Sequence, residues 1–340
     1  MAMYAAADSY DGLLGGLQAH SWIDEDAPRS AAAALRRRSI ISDLDLSRPE
    51  VEALVETALW LKLQRERAQP HPYLRDKTLG MIFQHPSTRT RNAFQAGMEQ
   101  LGGHATFLGT HELQMTRGET LPDTAQILSR YVDGIAARFG AHDDLVTFTR
   151  GASVPVFNAL TDRFHPIEAL SDLLTLRDRF GGLKGLKLAY VGDGNNVCHS
   201  LMLSSASAGM HIAIASPAKY APNPLLVGRA EELAAQAGGS VVLTIDAKEA
   251  ANAADAIYTD VHESMGQPDD VAKRAALAPY KVTQALMNEA RSTAVFMHCL
   301  PMRRDEEVEA AVADGPHSIV FEQAANRLHM HKAVLLLSMG

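Results

Sequence analysis

The chain has 340 residues, of which 46% are hydrophobic and 21% are charged, and its formal net charge is −8. This composition is typical of a globular protein of about two domains. An acidic chain does not suit nucleic acid as its main partner, and no apolar run reaches the roughly 18 residues that a membrane span requires. Two cysteines are too few for a disulfide framework. The first residues do not show the basic segment followed by an apolar segment that is typical of a secretory signal peptide, so we expect a cytoplasmic protein.

Residues 1–33 are rich in Ala, Ser, Gly and Asp without sustained periodicity, and we interpret them as an N-terminal extension. A first helix is expected after Ser47 and Pro49, a typical helix start. Beyond it, short apolar runs alternate with helical stretches. Strands are predicted at 79–84, 104–108, 134–138, 154–157, 186–191, 211–215, 240–244, 255–259 and 294–298. Helices are predicted near 88–101, 119–131, 143–149, 165–180, 196–209, 223–237, 270–278, 304–312 and 323–338.

This alternation predicts an α/β fold in which parallel sheets are flanked by helices. The break between the two halves is placed near residue 160, so that 34–162 form a first domain and 163–322 a second. Because the strands of the second half are already accounted for, we expect the last segment, 323–340, to pack back on the first domain.

Ligands of open parallel sheets bind beyond the carboxyl ends of the strands. Six predicted strands end in polar groups: Ser87 to Arg91, Arg138 with His142, Asn158 with His165, Gly192 to Asn196, Asp260 with Ser264-Met265-Gly266, and His298-Cys299-Leu300-Pro301. Each group alone has an ordinary structural interpretation as a cap, an ion pair or a solvated loop. Their convergence on one edge of each sheet is what predicts a functional site.

The segment Ser87-Thr88-Arg89-Thr90-Arg91 follows a strand and opens a helix. A helix start offers unpaired N–H groups and the positive end of the helix dipole, and arginine grips phosphate oxygens bidentately. We therefore predict a site for a small phosphorylated ligand. The alternative is a Ser/Thr helix cap with surface arginines.

The segment Gly192-Asp193-Gly194-Asn195-Asn196 begins like a dinucleotide fingerprint, but Val197 occupies the third glycine position, which argues against NAD. Two interpretations of this segment remain: a tight turn that presents Asn196 to a carboxylate, or a simple Asn helix cap. Asp260 and the loop after it suit an ammonium group. Cys299 has only His298 beside it, whereas a metal needs three or four ligands, so no metal site is predicted.

Together these motifs resemble the aspartate/ornithine carbamoyltransferase superfamily, and within it the ornithine branch. The resemblance covers residues 35–340 and includes the closing Asn326-Arg327-Leu328-His329. It implies two α/β domains of roughly equal size, joined by two helices, and transfer of a carbamoyl group from carbamoyl phosphate to L-ornithine, which gives L-citrulline and phosphate. It also implies small-molecule substrates, a homotrimer with sites between subunits, and neither a metal nor an organic cofactor.

The resemblance assigns roles residue by residue. The phosphorylated donor is held by Ser87, Thr88, Arg89, Thr90, Gln114, Arg138, His165, Glu168 and Arg327. The amino acid is held by Asn158, Asn196, Asp260, Ser264, Met265, Cys299 and Leu300. The catalytic residues among these are Arg138, His165, Cys299 and Arg327. His165 and Thr90 face the carbonyl oxygen, Cys299 and Leu300 face the side-chain amine, and Gln114 serves the site of the neighbouring subunit.

The chain departs from the family at three places. Glu168 stands where the family has Gln, His262 stands two residues after Asp260 where an aromatic is usual, and Met115-Thr116 follow Gln114 in place of Leu-Gly. A carboxylate beside a dianion costs on the order of several kcal/mol unless it is protonated or paired with an arginine such as Arg89 or Arg138. Two alternatives therefore remain: a carbamoyltransferase for another diamino acid such as 2,3-diaminopropionate, and a ligand-binding relative with weak catalysis.

Overall fold

A computed structural model describes residues 27–109, 113–263 and 270–340. The chain forms two compact units. The first contains the chain as far as Leu174 together with Asn326–Gly340, and the second contains Thr175–Ala325. The predicted boundary at residue 162 thus falls twelve residues before the observed one, inside a continuous helix. The returning segment begins at Asn326, three residues after the predicted start.

The first unit is built on a four-stranded parallel sheet. Its elements in chain order are α1 (Ala27–Ala34), α2 (Arg48–Glu66), β1 (Thr78–Phe83), α3 (Arg89–Gln100), β2 (His104–Gly109), α4 (Leu121–Leu128), β3 (Gly134–Arg138), α5 (His142–Gly151), β4 (Val156–Leu160) and α6 (Pro166–Phe180). The strand order is β2-β1-β3-β4, and every pairing is parallel. β1 and β3 are buried almost throughout, as expected for central strands covered on both faces.

The second unit is built on a five-stranded parallel sheet. Its elements are β5 (Lys187–Val191), α7 (Asn196–Ser207), β6 (His211–Ala215), α8 (Pro224–Ala237), β7 (Ser240–Thr244), α9 (Ala247–Ala251), β8 (Ala256–Thr259), α10 (Val271–Leu277), α11 (Gln284–Met287), β9 (Val295–His298), α12 (Ala310–Ala313) and α13 (Val320–Met339). The strand order β7-β6-β5-β8-β9 places the ends of β5, β8 and β9 side by side. Helices α6 and α13 carry the chain from one unit to the other.

All nine predicted strands are present, with ends that differ by at most one residue except at β4. That strand begins at Val156 and extends to Leu160, so Asn158 lies within it rather than after it. The predicted helix 304–312 is wrong: only Ala310–Ala313 is helical. The preceding residues form a turn in which the Val308 carbonyl accepts the Asp305 N–H. Val308 also forms an isolated β-bridge with Val282.

Part of the predicted extension is folded. Residues Ala27–Ala34 form α1, and Ala32 and Leu35 are fully buried in the first unit. The prediction for residues 1–26 lies outside the described residues. No helix in the described part of the chain has the length and apolarity needed to cross a membrane.

Candidate active site

The first unit gathers its predicted site residues at the carboxyl ends of β1 and β3. Ser87 and Thr88 precede α3, whose first residue is Arg89, and the Thr88 side chain makes no cap hydrogen bond to the helix. The first N–H groups of a helix have no intrahelical acceptor. The ends of the two strands are tied together, because Gln84 Oε1 accepts the Gly140 N–H at 2.8 Å. The helix start is therefore a fixed donor surface for an anion.

Two further arginines complete this end of the sheet. Arg138 ends β3, where the pairing register with β4 shifts, and it is 3% exposed. Arg327 on α13 is equally buried and donates a hydrogen bond to the Thr90 hydroxyl. Burial, together with the nearby charge of Arg327, lowers the pKa of Arg138 to about 10, and Arg89 contributes in the same direction. Arg138 and Arg327 are buried and Arg89 is half-buried, and three neighbouring guanidinium groups favour an anionic ligand.

Glu168 supplies a negative charge to this cluster. Its Oε2 lies 2.9 Å from Arg327 Nη2 and 3.1 Å from His165 Nε2. Burial alone raises the pKa of this carboxyl, but Arg327 and His165 outweigh burial and lower the pKa to about 2. Glu168 is therefore ionised at neutral pH. Glu168 is therefore compensated rather than protonated. Its direct partner is Arg327, and its charge also acts on Arg138.

The histidines beside this cluster are neutral. Burial lowers the pKa of His165, and the charges of Arg327 and Arg138 add to that effect, while Glu168 opposes it. Because ionised Glu168 can only accept, His165 Nε2 carries the proton of this hydrogen bond. Burial is the main cause that lowers the pKa of His331, and the charge of Arg327 adds to it, so that the pKa is about 3. The single N–H of the neutral His165 imidazole is thus engaged by Glu168 in the unliganded protein.

The second unit gathers Asn195, Asp260 and Cys299 at the ends of β5, β8 and β9. Asp260 Oδ2 accepts from Asn195 Nδ2 at 2.8 Å. Its Oδ1 accepts from the Cys299 thiol at 2.9 Å and from the Val261 N–H at 2.8 Å. All three strand ends predicted to hold the amino acid therefore meet in one polar cluster, with Asp260 at its centre.

The turn after β5 depends on glycine at one position. A Cβ on Gly194 would lie 2.3 Å from Pro222 N and 2.6 Å from Tyr220 O, so only glycine allows this close approach. The turn delivers Asn195 as the cap of α7, where its Oδ1 accepts the Cys198 N–H. Asn196 is the first residue of that helix and is 8% exposed. The cap interpretation thus applies to Asn195, and Asn196 remains a candidate for substrate binding.

His298 and Cys299 are adjacent potential metal ligands, and two ligands are too few for a metal site. In the structure Asp260 joins them, and one potential ligand atom from each lies within 4.8 Å of the others. Both nitrogens of His298 already have hydrogen-bond partners, however: Nδ1 accepts from the Leu300 N–H, and Nε2 faces Glu307. These contacts favour a hydrogen-bonded structural role for His298 over metal ligation.

Asn158 does not have the position predicted for it. It is fully buried in the first unit, and its amide donates to the carbonyl of Ile41 at 2.8 Å and to that of Phe164 at 3.3 Å. Its Oδ1 accepts the Leu160 N–H. The hydrogen-bonding atoms of this side chain are occupied by backbone groups, so we do not propose that Asn158 binds the amino-acid substrate.

The remaining predicted site residues to be located are Gln114, Ser264 and Met265. Gln114 begins a short 3-10 helix, Gln114–Arg117, and its side chain is exposed. Its contribution to the site of a neighbouring subunit stays a prediction. Ser264 and Met265 lie outside the described residues.

Two buried polar groups were not anticipated from the sequence. Lys332 on α13 donates to His71 at 2.8 Å and to Gln100 at 3.1 Å, and its pKa is lowered to about 8, chiefly by burial. Glu307 pairs with His298 at 3.0 Å. Neither belongs to a recognisable local motif. Only the three-dimensional contact makes them visible.

One parallel α/β unit carries a cluster of three arginines, and the other carries a carboxylate bonded to an amide and a thiol at its strand ends. This combination is typical of a group-transfer enzyme of the carbamoyltransferase class. Two family models cover the chain. The carbamoyl-P binding domain of aspartate/ornithine carbamoyltransferase matches residues 38–178, and the Asp/Orn binding domain of the same family matches residues 184–338.

Individual relatives agree with this match. An ornithine carbamoyltransferase of Symbiobacterium thermophilum is 49% identical over 307 residues, covering 90% of this chain and 99% of that protein. One from Bacillus cereus is 47% identical over 302 residues, covering 89% and 94%. The solved structure of ornithine carbamoyltransferase from Pyrococcus furiosus is 46% identical, with a TM-score of 0.87 over 90% of this chain and 98% of that one. The chain belongs to the aspartate/ornithine carbamoyltransferase family.

Proposed function

We propose that the protein transfers the carbamoyl group of carbamoyl phosphate to the side-chain amine of L-ornithine, giving L-citrulline and phosphate. The observation that carries this proposal is that one unit holds a cluster of Arg89, Arg138 and Arg327, and the other holds the Asp260–Cys299 cluster. The likeness to proteins named ornithine carbamoyltransferase supports the choice of amine.

The first unit is the proposed donor domain. Ser87, Thr88, Thr90 and the start of α3 bind the phosphate with the three arginines, and the arginines stabilise the charge that develops on the leaving phosphate. Thr90 donates to the carbonyl oxygen, where negative charge grows in the tetrahedral intermediate. His165 joins it when the donor binds, because its single N–H, on Nε2, then turns from Glu168 to that oxygen. The donor's electrophilic carbon is thereby activated without a cofactor.

The second unit is the proposed amino-acid domain. Asn196, Asp260, Ser264 and Met265 hold the α-amino and α-carboxylate groups of ornithine, and Cys299 and the Leu300 carbonyl face its side-chain amine. The neutral amine forms the new C–N bond, the C–O bond to phosphate breaks, and the departing phosphate takes up the proton that the amine nitrogen loses. Orientation of the two substrates supplies much of the remaining rate enhancement.

A second candidate is a carbamoyltransferase for a different diamino acid. Two residues favour it, because Glu168 and His262 occupy positions where the family has Gln and an aromatic. His262 is 3% exposed, and its Nε2 has no hydrogen-bond partner among the described residues, so it offers a polar group beside Asp260 that an aromatic ring lacks.

A panel of amines assayed with carbamoyl phosphate tests both candidates through the ureido product. We expect kcat/KM to be highest for ornithine and much lower for putrescine and N-acetylornithine, which lack a free α-carboxylate or a free α-amine. Efficient turnover of 2,3-diaminopropionate with none of ornithine would transfer the assignment to the second candidate. Donor binding without any ureido product would identify a ligand-binding relative.

A further inference from the structure

His298 and Glu307 form a buried pair in the second unit that the proposed chemistry does not use. His298 Nε2 lies 3.0 Å from Glu307 Oε1, and both residues are 0% exposed. Glu307 belongs to a segment fixed to the unit's core, because its carbonyl accepts the Val282 N–H at 2.9 Å and the next residue, Val308, is fully buried. The pair therefore connects the core directly to the residue that precedes Cys299.

The hydrogen bonds fix the tautomer of His298. Its Nδ1 lies 2.9 Å from the Leu300 backbone nitrogen, which is a donor, so Nδ1 must accept and Nε2 must carry the proton. The Glu307 carboxylate accepts the hydrogen bond from this N–H. Burial raises the pKa of Glu307, but the hydrogen bonds from His298 and from the Arg303 N–H lower it below its usual value. An ionised Glu307 thus selects the form of His298 whose Nδ1 is free to accept.

The accepted N–H belongs to a residue in an unusual conformation. Leu300 has φ +58°, a left-handed conformation that a side chain other than glycine rarely adopts. Glu307 Oε1 also accepts the Arg303 N–H at 2.6 Å, and the His298 N–H donates to Gln323 Oε1 at 2.9 Å. One carboxylate oxygen therefore holds both ends of the segment 298–303, and His298 holds the residue in its middle.

We propose that Glu307 and His298 are positioning residues, which hold Leu300 in its left-handed conformation and thereby aim the Cys299 thiol and the Leu300 carbonyl at the amine substrate. This inference rests on the proposed function and deepens it, because it assigns the geometry of the amine subsite to two residues that touch no substrate. The donor site in the first unit does not depend on them.

The first experiment compares Glu307→Leu with Glu307→Gln. Glutamine keeps an oxygen that accepts from His298 and Arg303, whereas leucine of similar size keeps neither hydrogen bond. We expect KM for ornithine to rise about 100-fold in the Leu variant and about threefold or less in the Gln variant. The Kd for carbamoyl phosphate, measured by calorimetry without the amine, should stay within about twofold of wild type in both. Equal KM values in the two variants would overturn the proposal.

A second pair of variants keeps the proposal falsifiable if Glu307→Leu does not fold. In the Glu307→Gln background, which avoids a stranded buried charge, His298→Asn retains an acceptor at the Nδ1 position, and His298→Gln retains a donor at the Nε2 position. If the contact with Leu300 matters, KM for ornithine is lower in the Asn variant than in the Gln variant. The reverse order, or no difference, contradicts the proposal.

A measurement on the wild-type protein separates this inference from the proposed function. The ¹⁵N shifts of selectively labelled His298 should report a neutral ring protonated at Nε2 and accepting at Nδ1, whichever amine is the substrate. A ring protonated at Nδ1 would refute the inference. If the amine panel identifies another diamino acid, the proposed function fails, and the same KM ratios are then measured with that amine.

Discussion

Glu168 Oε2 lies 2.9 Å from Arg327 Nη2, so the arginine proposed to bind the donor's phosphate already holds a carboxylate of its own chain. The family has Gln at this position. Here an ionised carboxylate neutralises part of the charge of Arg138 and Arg327 before any ligand binds. The phosphate therefore competes with a built-in counter-ion, a relation that a neutral glutamine does not create.

Removing this counter-ion should strengthen anion binding. We expect Glu168→Gln to lower the Kd for inorganic phosphate and for carbamoyl phosphate by about tenfold, because one unit of like charge a few ångströms away is worth about 1–2 kcal/mol in a partly screened site. Calorimetric titration measures both. Glu232→Gln is the matched control, since it removes the same charge from an exposed pair with Arg229 and should leave both Kd values unchanged. An unchanged Kd in Glu168→Gln would show that Glu168 does not contact the donor site.

The same substitution should make the unliganded protein less stable, with a defined pH dependence. The pKa of Glu168 falls from 4.5 to about 2 on folding, so the carboxylate stabilises the folded state above the unfolded pKa. That stabilisation is lost as the pH falls from about 4.5 toward 2. Wild type should therefore exceed Glu168→Gln in urea midpoint at neutral pH, and the two should converge as the pH approaches 2. A constant difference across this window would contradict the ionised state.

The fold was predictable because both sheets are built from short apolar runs that central parallel strands require. β1 and β3 have no solvated face, so hydrophobicity alone marks them. The error at 304–312 has a physical cause. The pairing of Val308 with Val282, twenty-six residues earlier in the chain, overrides the local helical pattern, and no local signal announces such a contact.

The site was predictable only as far as strand ends can indicate it. The rule that ligands bind beyond the carboxyl ends of strands located Arg138, Asp260 and Cys299 correctly at those ends. It could not identify partners distant in sequence: Thr90 and Arg327 are 237 residues apart, and the ion-pair partner of Glu168 is the same distant arginine. Asn158 was misassigned because a buried amide that satisfies backbone groups has the same sequence signature as a binding residue.

Arg89 should be essential for donor binding and dispensable for folding. We expect Arg89→Ala to abolish measurable binding of carbamoyl phosphate, because the variant loses a guanidinium fork at the start of α3, and Arg89→Lys to restore it only in part, since an ammonium cannot bind two oxygens in a fork. The control is Arg91→Ala in the same helix, whose exposed guanidinium packs over the Phe107 ring at 3.7 Å. Unchanged donor affinity in a folded Arg89→Ala protein would defeat the assignment.

Gln114 should act across a subunit boundary. The exposed side chain and the family resemblance predict a homotrimer in which each Gln114 completes the donor site of a neighbour. Arg89→Ala and Gln114→Ala proteins should each be inactive alone. When the two are mixed, unfolded and refolded together, activity should return, because some sites combine an intact Arg89 with an intact Gln114. Light scattering should report a trimer. A monomer, or a mixture that stays inactive, would contradict the prediction.

Lys273 and Asp193 form the ion pair that we expect to matter most for the stability of the second unit. The Lys273 ammonium lies 2.5 Å from Asp193 Oδ2, and both side chains are nine-tenths buried. Burial raises the pKa of Asp193, although Lys273 opposes that rise. Lys273→Met leaves the carboxylate buried without its partner and should cost about 3–5 kcal/mol of unfolding free energy. Asp193→Asn in addition should recover a large part of this loss, because no stranded charge remains.

The loss in Lys273→Met should also depend on pH in a direction set by Asp193. A carboxyl whose pKa is raised in the folded state takes up a proton on folding, so its penalty grows as the pH rises above the unfolded pKa and vanishes below it. The urea midpoint of Lys273→Met should therefore lie closer to that of wild type at about pH 5 than at about pH 8, whereas the double variant should show no such trend. A loss that is equal at both pH values, or that the added Asp193→Asn does not relieve, would mean that Lys273 stabilises the unit through packing rather than through charge.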